Sequence, residues 1–159
     1  MQRINLDICA LPSYEKQPML LINHYGVELG TSGLIVQAES REEIYTDKLI
    51  AFALRPNRIK YRDLWDIIWL HQKGITPNFN LIPKKINDRK RDTKEFMTLF
   101  NQRYQSLIND TKQEKEFYKE MQRFLPPQEV EKVITQKDFW LVLSHLIKMQ
   151  GEDIKKILL

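Results

Sequence analysis

The chain has 159 residues, 42% of them hydrophobic and 29% charged, the size and balance of one folded domain rather than of a disordered chain or a membrane bundle. Its longest apolar run is the six residues Leu49 to Leu54, far short of the roughly 20 needed to cross a bilayer. Arg3, Asp7, Glu15 and Lys16 within the first sixteen residues do not suit a secretory leader, and a lone Cys9 excludes an internal disulfide, so a cytoplasmic location is expected. In chain order, Arg3 to Cys9 alternates, with Ile4, Leu6 and Ile8 on one face, which is the pattern of a half-buried strand. Met19 to Ile22 and Gly33 to Gln37 are two further short apolar runs and predict two more strands of a small sheet. Between them, Gly26, Gly30 and Gly33 lack the Lys-Ser/Thr ending of a P-loop and the spacing of a dinucleotide fingerprint, so they read as a hairpin turn.

From residue 40 the periodicity is helical. Ser40 followed by Glu43 is a capping box and opens a helix over about 41–55, stopped by Pro56. A second helix over about 60–73 ends at Gly74 in the C′ role. Helices follow near 92–109 and 111–124, then, after Pro126 and Pro127, near 128–135 and 137–150. The expected fold class is therefore α+β: short N-terminal strands in residues 1–38, then a mostly α-helical region in residues 39–159 that forms one compact unit with them.

The net charge of +4 lies wholly in the second half of the chain. Residues 84–91 hold five cations, Lys84, Lys85, Arg89, Lys90 and Arg91, against Asp88 alone. Such a run is either a solvated connection or a phosphate contact with salt-dependent affinity for nucleic acid. Two further residues interrupt apolar helix faces. Lys48 shares a stripe with Ile44, Ala51 and Arg55, where it either lays its stem on the core or projects a phosphate-binding charge into a cleft. Asp63 shares one with Ile67 and Leu70, either as an acid favoured by the helix dipole or as a group facing that same cleft. Arg62 and Asp66, at i and i+4, are spaced to pair on the helix surface. Cys9, His24, His71 and His145 have no zinc-ligand spacing.

The stretch Ala38-Glu-Ser-Arg-Glu-Glu-Ile-Tyr-Thr-Asp-Lys-Leu-Ile-Ala-Phe-Ala-Leu-Arg55, followed by Lys60-Tyr-Arg-Asp-Leu-Trp-Asp66, resembles the nucleotidyltransferase-type toxins of the AbiEii/AbiGii family. These belong to the polymerase-β-like nucleotidyltransferase superfamily and act in toxin–antitoxin and abortive-infection systems. The resemblance covers roughly residues 1–75. It implies that Lys48 binds the triphosphate of an NTP substrate, that Asp63 activates the acceptor hydroxyl, and that Asp7 is a ligand of a Mg2+ site. Arg55 and Arg62, with Lys84 and Lys85 of the basic run, are the candidate substrate- or phosphate-binding cations. An antitoxin protein and an RNA acceptor such as tRNA are the implied partners, with no membrane. The chain departs from the family pattern in having neither a Gly-Gly or Gly-Ser helix start nor an Asp-x-Asp pair. The expectation is thus the C-terminal portion of such an enzyme, its strands a remnant of the catalytic sheet, inactive alone. The alternatives are a helical RNA- or protein-binding module acting through residues 84–91, or a subunit completed by a second polypeptide.

Overall fold

The computed structural model describes residues 10–22 and 30–158. Strands β1 (Lys16–Leu20) and β2 (Ile35–Glu39) pair antiparallel, with Lys16 opposite Glu39 and Leu20 opposite Ile35. The connection between them includes Gly30 at φ 68° and Gly33 at φ 83°, backbone that a side chain would disfavour. The expected strand at Arg3 to Cys9, and Gly26 with it, lie outside the described residues.

Helix α1 (Arg41–Leu54) starts at Ser40, whose Oγ accepts from the Glu43 amide at 3.0 Å. Only half of the anticipated capping box forms. The Ser40 amide donates to the Glu15 carbonyl at 2.8 Å, and the Glu43 carboxylate is engaged elsewhere. Helix α2 (Tyr61–Gln72) ends as its glycine predicts. Gly74, at φ 75°, donates to the His71 carbonyl and Ile75 to that of Leu70, the paired bonds of a Schellman motif.

The basic run is not a plain connection. Its first half continues a 3-10 turn at Phe79–Leu81 into α3 (Ile82–Asp88), with Pro83 in the first turn. Asp92 caps α4 (Thr93–Asn109), accepting from the amides of Lys94 and Glu95. Asp110 ends α4 and caps α5 (Thr111–Phe124). After the prolines, α6 (Pro127–Glu129) is a single turn that widens into a π-wound segment, Val130–Ile134. The last helix, α7 (Phe139–Leu158), continues past the expected end at residue 150.

The core lies among the helices. Helix α1 packs on α2 and α4, and α4 on α7. Tyr45, Leu49, Leu64, Ile67, Phe96, Phe100, Phe117, Leu143 and Ile147 are buried between them. Phe100 meets Phe52 edge to face at 5.1 Å, a favourable ring geometry. The hairpin stands outside this core, and the backbone before β1 ties it down.

Candidate functional site

Helices α1 and α2 are joined by residues 55–60, so the last turns of α1 face the first turns of α2. That brings together Lys48 and Asp63, the two residues that interrupt the apolar faces, with Arg55 and Asp66 beside them. The Lys48 Nζ lies 2.8 Å from Asp63 Oδ1 and 2.5 Å from Asp66 Oδ2. The Arg55 Nη2 lies 3.0 Å from Asp63 Oδ2. Two cations thus face two carboxylates. The Asp63 side chain is 5% exposed, whereas Lys48, Asp66 and Arg55 keep between 26 and 40% of their surface in water. Burial alone would lower the Lys48 pKa, but hydrogen bonds to Asp63 and Asp66 and their charges outweigh it and hold the ammonium above its ordinary value. Asp66 therefore does not pair with Arg62. Arg62 turns away to Glu120, 3.5 Å off, and its guanidinium lies 4.3 Å over the Phe124 ring.

A second charged cluster sits where β2, α1 and α3 meet. Lys85 is 2% exposed, its Nζ 2.6 Å from Glu43, 2.7 Å from Asp47 and 3.6 Å from Glu39. Arg89 adds a contact to Asp47 at 3.0 Å. The fully buried Glu43 carboxylate also accepts from the Ser13 hydroxyl and from the amides of Tyr14 and Glu15. Burial raises the Glu43 pKa, and the Lys85 ammonium with the two amides more than reverses this, leaving it at about 2. Burial and the Asp47 charge push Glu39 the other way, above the ordinary carboxylate value. Lys85 is held above its ordinary value by Asp47 and Glu43 despite its burial. Lys84, its neighbour, is exposed, with its Nζ 5.7 Å over the Tyr14 ring.

Glu39, Glu43 and Asp47 place carboxylate oxygens within 4.8 Å of one another, close enough to ligate one ion. They are the hard oxygen donors that magnesium prefers. The Lys85 ammonium already bonds two of the three, so a divalent ion would have to displace a buried lysine, and the residues described do not fit Mg2+ as they stand. Asp7, the implied metal ligand, lies outside the described residues.

The remaining expected cations lie around Arg55. A cleft of about 470 Å³ is lined by Arg55, Pro56, Asn57, Arg58, Lys60, Arg62 and Glu120. A neighbouring one is lined by Arg58, Tyr61, Arg62, Glu116, Lys119, Glu120 and Arg123. On the other side of Arg55, Arg89 and Arg91 border a third. The structure thus brings Lys48, Asp63 and Arg55 into contact and sets Arg62 beside them, while Lys85 belongs to the second cluster. The partners of Lys85 were not anticipated. Part of their signal was present, since Glu43 and Asp47, four residues apart, share one stripe of α1, whereas Glu39 comes from the end of β2.

Fold and site together define an α+β protein whose first two long helices clasp a lysine against paired aspartates, with a two-stranded hairpin preceding them. The sequence pattern of the nucleotidyl transferase AbiEii toxins of the type IV toxin–antitoxin system matches residues 1–144. The chain belongs to that family. No curated protein and no solved structure matches it. Membership in a toxin–antitoxin family implies an antitoxin counterpart. Among the described residues, no helix is long and apolar enough to cross a membrane.

Proposed function

We propose that this chain carries the phosphate-binding lysine and the acceptor-activating carboxylate of a nucleotidyltransferase toxin. The observation that carries the reading is the convergence of Lys48, Arg55, Asp63 and Asp66 in one half-open cluster. In the reaction, the acceptor hydroxyl oxygen forms a bond to the α-phosphorus of an NTP, the bond to the bridging oxygen breaks, and pyrophosphate leaves. Once a phosphate oxygen replaces the carboxylates as its partner, the Lys48 ammonium neutralises charge developing on the leaving group. The same exchange frees Asp63 Oδ1 to take the hydroxyl proton. Arg55, still on Asp63 Oδ2, keeps that carboxylate oriented. The β1–β2 hairpin and the helices that follow it work as one unit on this reading, supported by the bonds from Ser13, Tyr14 and Glu15 to Glu43.

The acceptor on this reading is RNA. The supporting feature is the cationic rim around Arg55, where Arg58, Lys60, Lys119 and Arg123 outnumber Glu116 and Glu120. A rim of that charge attracts a phosphate backbone irrespective of base sequence. The chain is inactive alone, because residues 1–159 contain no Asp-x-Asp pair and the Glu39–Glu43–Asp47 carboxylates are committed to Lys85. Mg2+ enters only with carboxylates beyond those three.

Two measurements on the purified chain test this reading. Calorimetric titration with inorganic triphosphate should give binding that Lys48→Ala abolishes and Lys84→Ala leaves intact; equal binding by the Lys48 variant overturns the assignment. Incubation with labelled NTPs, magnesium and total tRNA should give no incorporation, and label appearing in the RNA overturns the inactivity.

A further inference from the structure

The β1–β2 hairpin is an exposed ribbon. Met19, Leu20, Ile22, Leu34 and Ile35 each keep between 48 and 69% of their surface in water. Two strands alone are marginal in water and are stabilised by a third strand or more. The two edges of this ribbon are not equivalent. The Leu21 amide bonds the Leu34 carbonyl and the Ser40 amide bonds that of Glu15, both at 2.8 Å. With the observed register, the alternation of an antiparallel ladder makes Gln17–Ala38 and Met19–Val36 the bonded pairs. The backbone groups of Lys16, Pro18 and Leu20 therefore point away from β2, and those of Ile35, Gln37 and Glu39 point away from β1. Pro18 has no N–H and sits at the centre of the outer edge of β1, which closes that edge to another strand. The outer edge of β2 has no proline, and its sheet holds no strand beyond β1 among the described residues.

We propose that the open edge of β2 joins two copies of this chain, antiparallel about Gln37, into one four-stranded sheet in the order β1-β2-β2-β1. The outward positions 35, 37 and 39 are symmetric about Gln37. A two-fold axis there pairs Gln37 with Gln37 of the partner subunit, and Ile35 with Glu39 of the partner subunit. Charge selects this direction. Glu39 is the sole ionisable side chain of β2, and a parallel in-register pairing would set two carboxylates side by side. Antiparallel pairing separates them by four residues, about 13 Å at the rise of a strand. The contact is self-complementary and therefore closed. Pro18 then lies on both outer edges of the joined sheet and stops its growth at two chains.

Light scattering on the full chain across a dilution series tests this, with circular dichroism as the folding control. The expected mass is that of a dimer. Gln37→Pro deletes an outward N–H that the hairpin itself does not use, and should yield a folded monomer. Pro18→Val opens the second edge and should give species larger than the dimer; this arm does not depend on how Gln37→Pro folds. A wild-type chain that stays monomeric at every concentration overturns the proposal, including one that pairs only when a different polypeptide is added. A dimer unchanged by Gln37→Pro, or a Pro18→Val mass that does not rise, overturns it as well. None of these outcomes depends on nucleotide chemistry, so the proposal and the nucleotidyltransferase reading fail separately.

Discussion

The Lys48 ammonium lies 2.8 Å from the buried carboxylate of Asp63, fifteen residues away, and so pins the middle of α1 to the first turn of α2. The pair is neither a surface ion pair, worth little, nor a sealed one, where loss of a partner costs several kcal/mol. Lys48 reaches water, and Asp63 keeps Arg55 when Lys48 is removed. A double-mutant cycle with Lys48→Met and Asp63→Asn, read by urea denaturation, should give a coupling of about 1–2 kcal/mol. A coupling indistinguishable from zero would mean that the contact does not constrain the two helices.

Lys85 is the opposite case. It is 2% exposed, and the Glu43 carboxylate against it is fully buried. Lys85→Met keeps the volume and leaves Glu43 and Asp47 facing each other without their shared cation. The expected loss is about 3–5 kcal/mol, enough to unfold a large fraction of a marginal domain. Lys84→Met, one residue earlier and exposed, should stay within about 0.5 kcal/mol of wild type. Urea midpoints of the two variants compared side by side decide it: similar losses would show that Lys85 is not the cation holding this cluster.

Acid should act on the same cluster. Glu43 has its pKa depressed to about 2 from an ordinary 4.5, so its contribution is present above about 4.5 and is lost as pH falls from there towards 2. Linkage converts that gap into stability on the order of 3 kcal/mol, lost across the acid limb. Glu39 has the opposite sign. Its raised pKa gives stability present below the ordinary value and lost as pH rises through the folded one. Glu39→Gln should therefore be neutral or slightly stabilising at pH 7, while Glu43→Gln is destabilising there and flattens the acid limb. Thermal melts from pH 3 to 8 separate the two; the same sign for both variants at pH 7 would contradict this account.

Much of the architecture was legible because its punctuation is local. Ser40 and Gly74 bound their helices from within a few residues and act where the sequence placed them; Asp92 and Asp110, which the sequence reading did not single out, cap α4 and α5 in the same local way. The stripes on α1 and α2 likewise exposed Lys48 and Asp63 as intruders before any contact was known. What stayed hidden depends on distant chain. Lys85 sits in a run of cations that reads as solvated, and its partners come from residues 39–47. The wide turn at Val130–Ile134 carries no composition cue against an ordinary helix. Helix α7 runs through Gly151 to Leu158, past the end expected at residue 150.

Gly151 is a point of contact. A Cβ there would fall 2.7 Å from Phe100 Cε1, on a ring that is 1% exposed and also packed on Phe52 and Phe96. Alanine would gain up to about 1 kcal/mol of helix propensity, but overpacking a filled core costs about 1–3 kcal/mol. Gly151→Ala should therefore lower stability by about 1 kcal/mol or more, measured by thermal melting. A stabilised variant would show that α4 and α7 can separate without penalty.

The cationic rim gives the last expectation, and it separates two basic surfaces that composition alone could not rank. Lys85 and Arg89 spend their charge on Asp47, which weakens residues 84–91 as a phosphate contact. Arg58 and Lys60 are exposed and line the cleft beside Arg55. If single-stranded RNA runs along that cleft, each lost phosphate contact lowers the slope of log affinity against log salt by about 0.7. Arg58→Ala and Lys60→Ala should each reduce it by about that much, and Lys84→Ala, which does not line the cleft, should leave it unchanged. Fluorescence anisotropy with an oligouridine across a salt series makes the comparison. An unaltered slope in the first two variants, with a reduced one in the third, would return the nucleic-acid contact to the basic run.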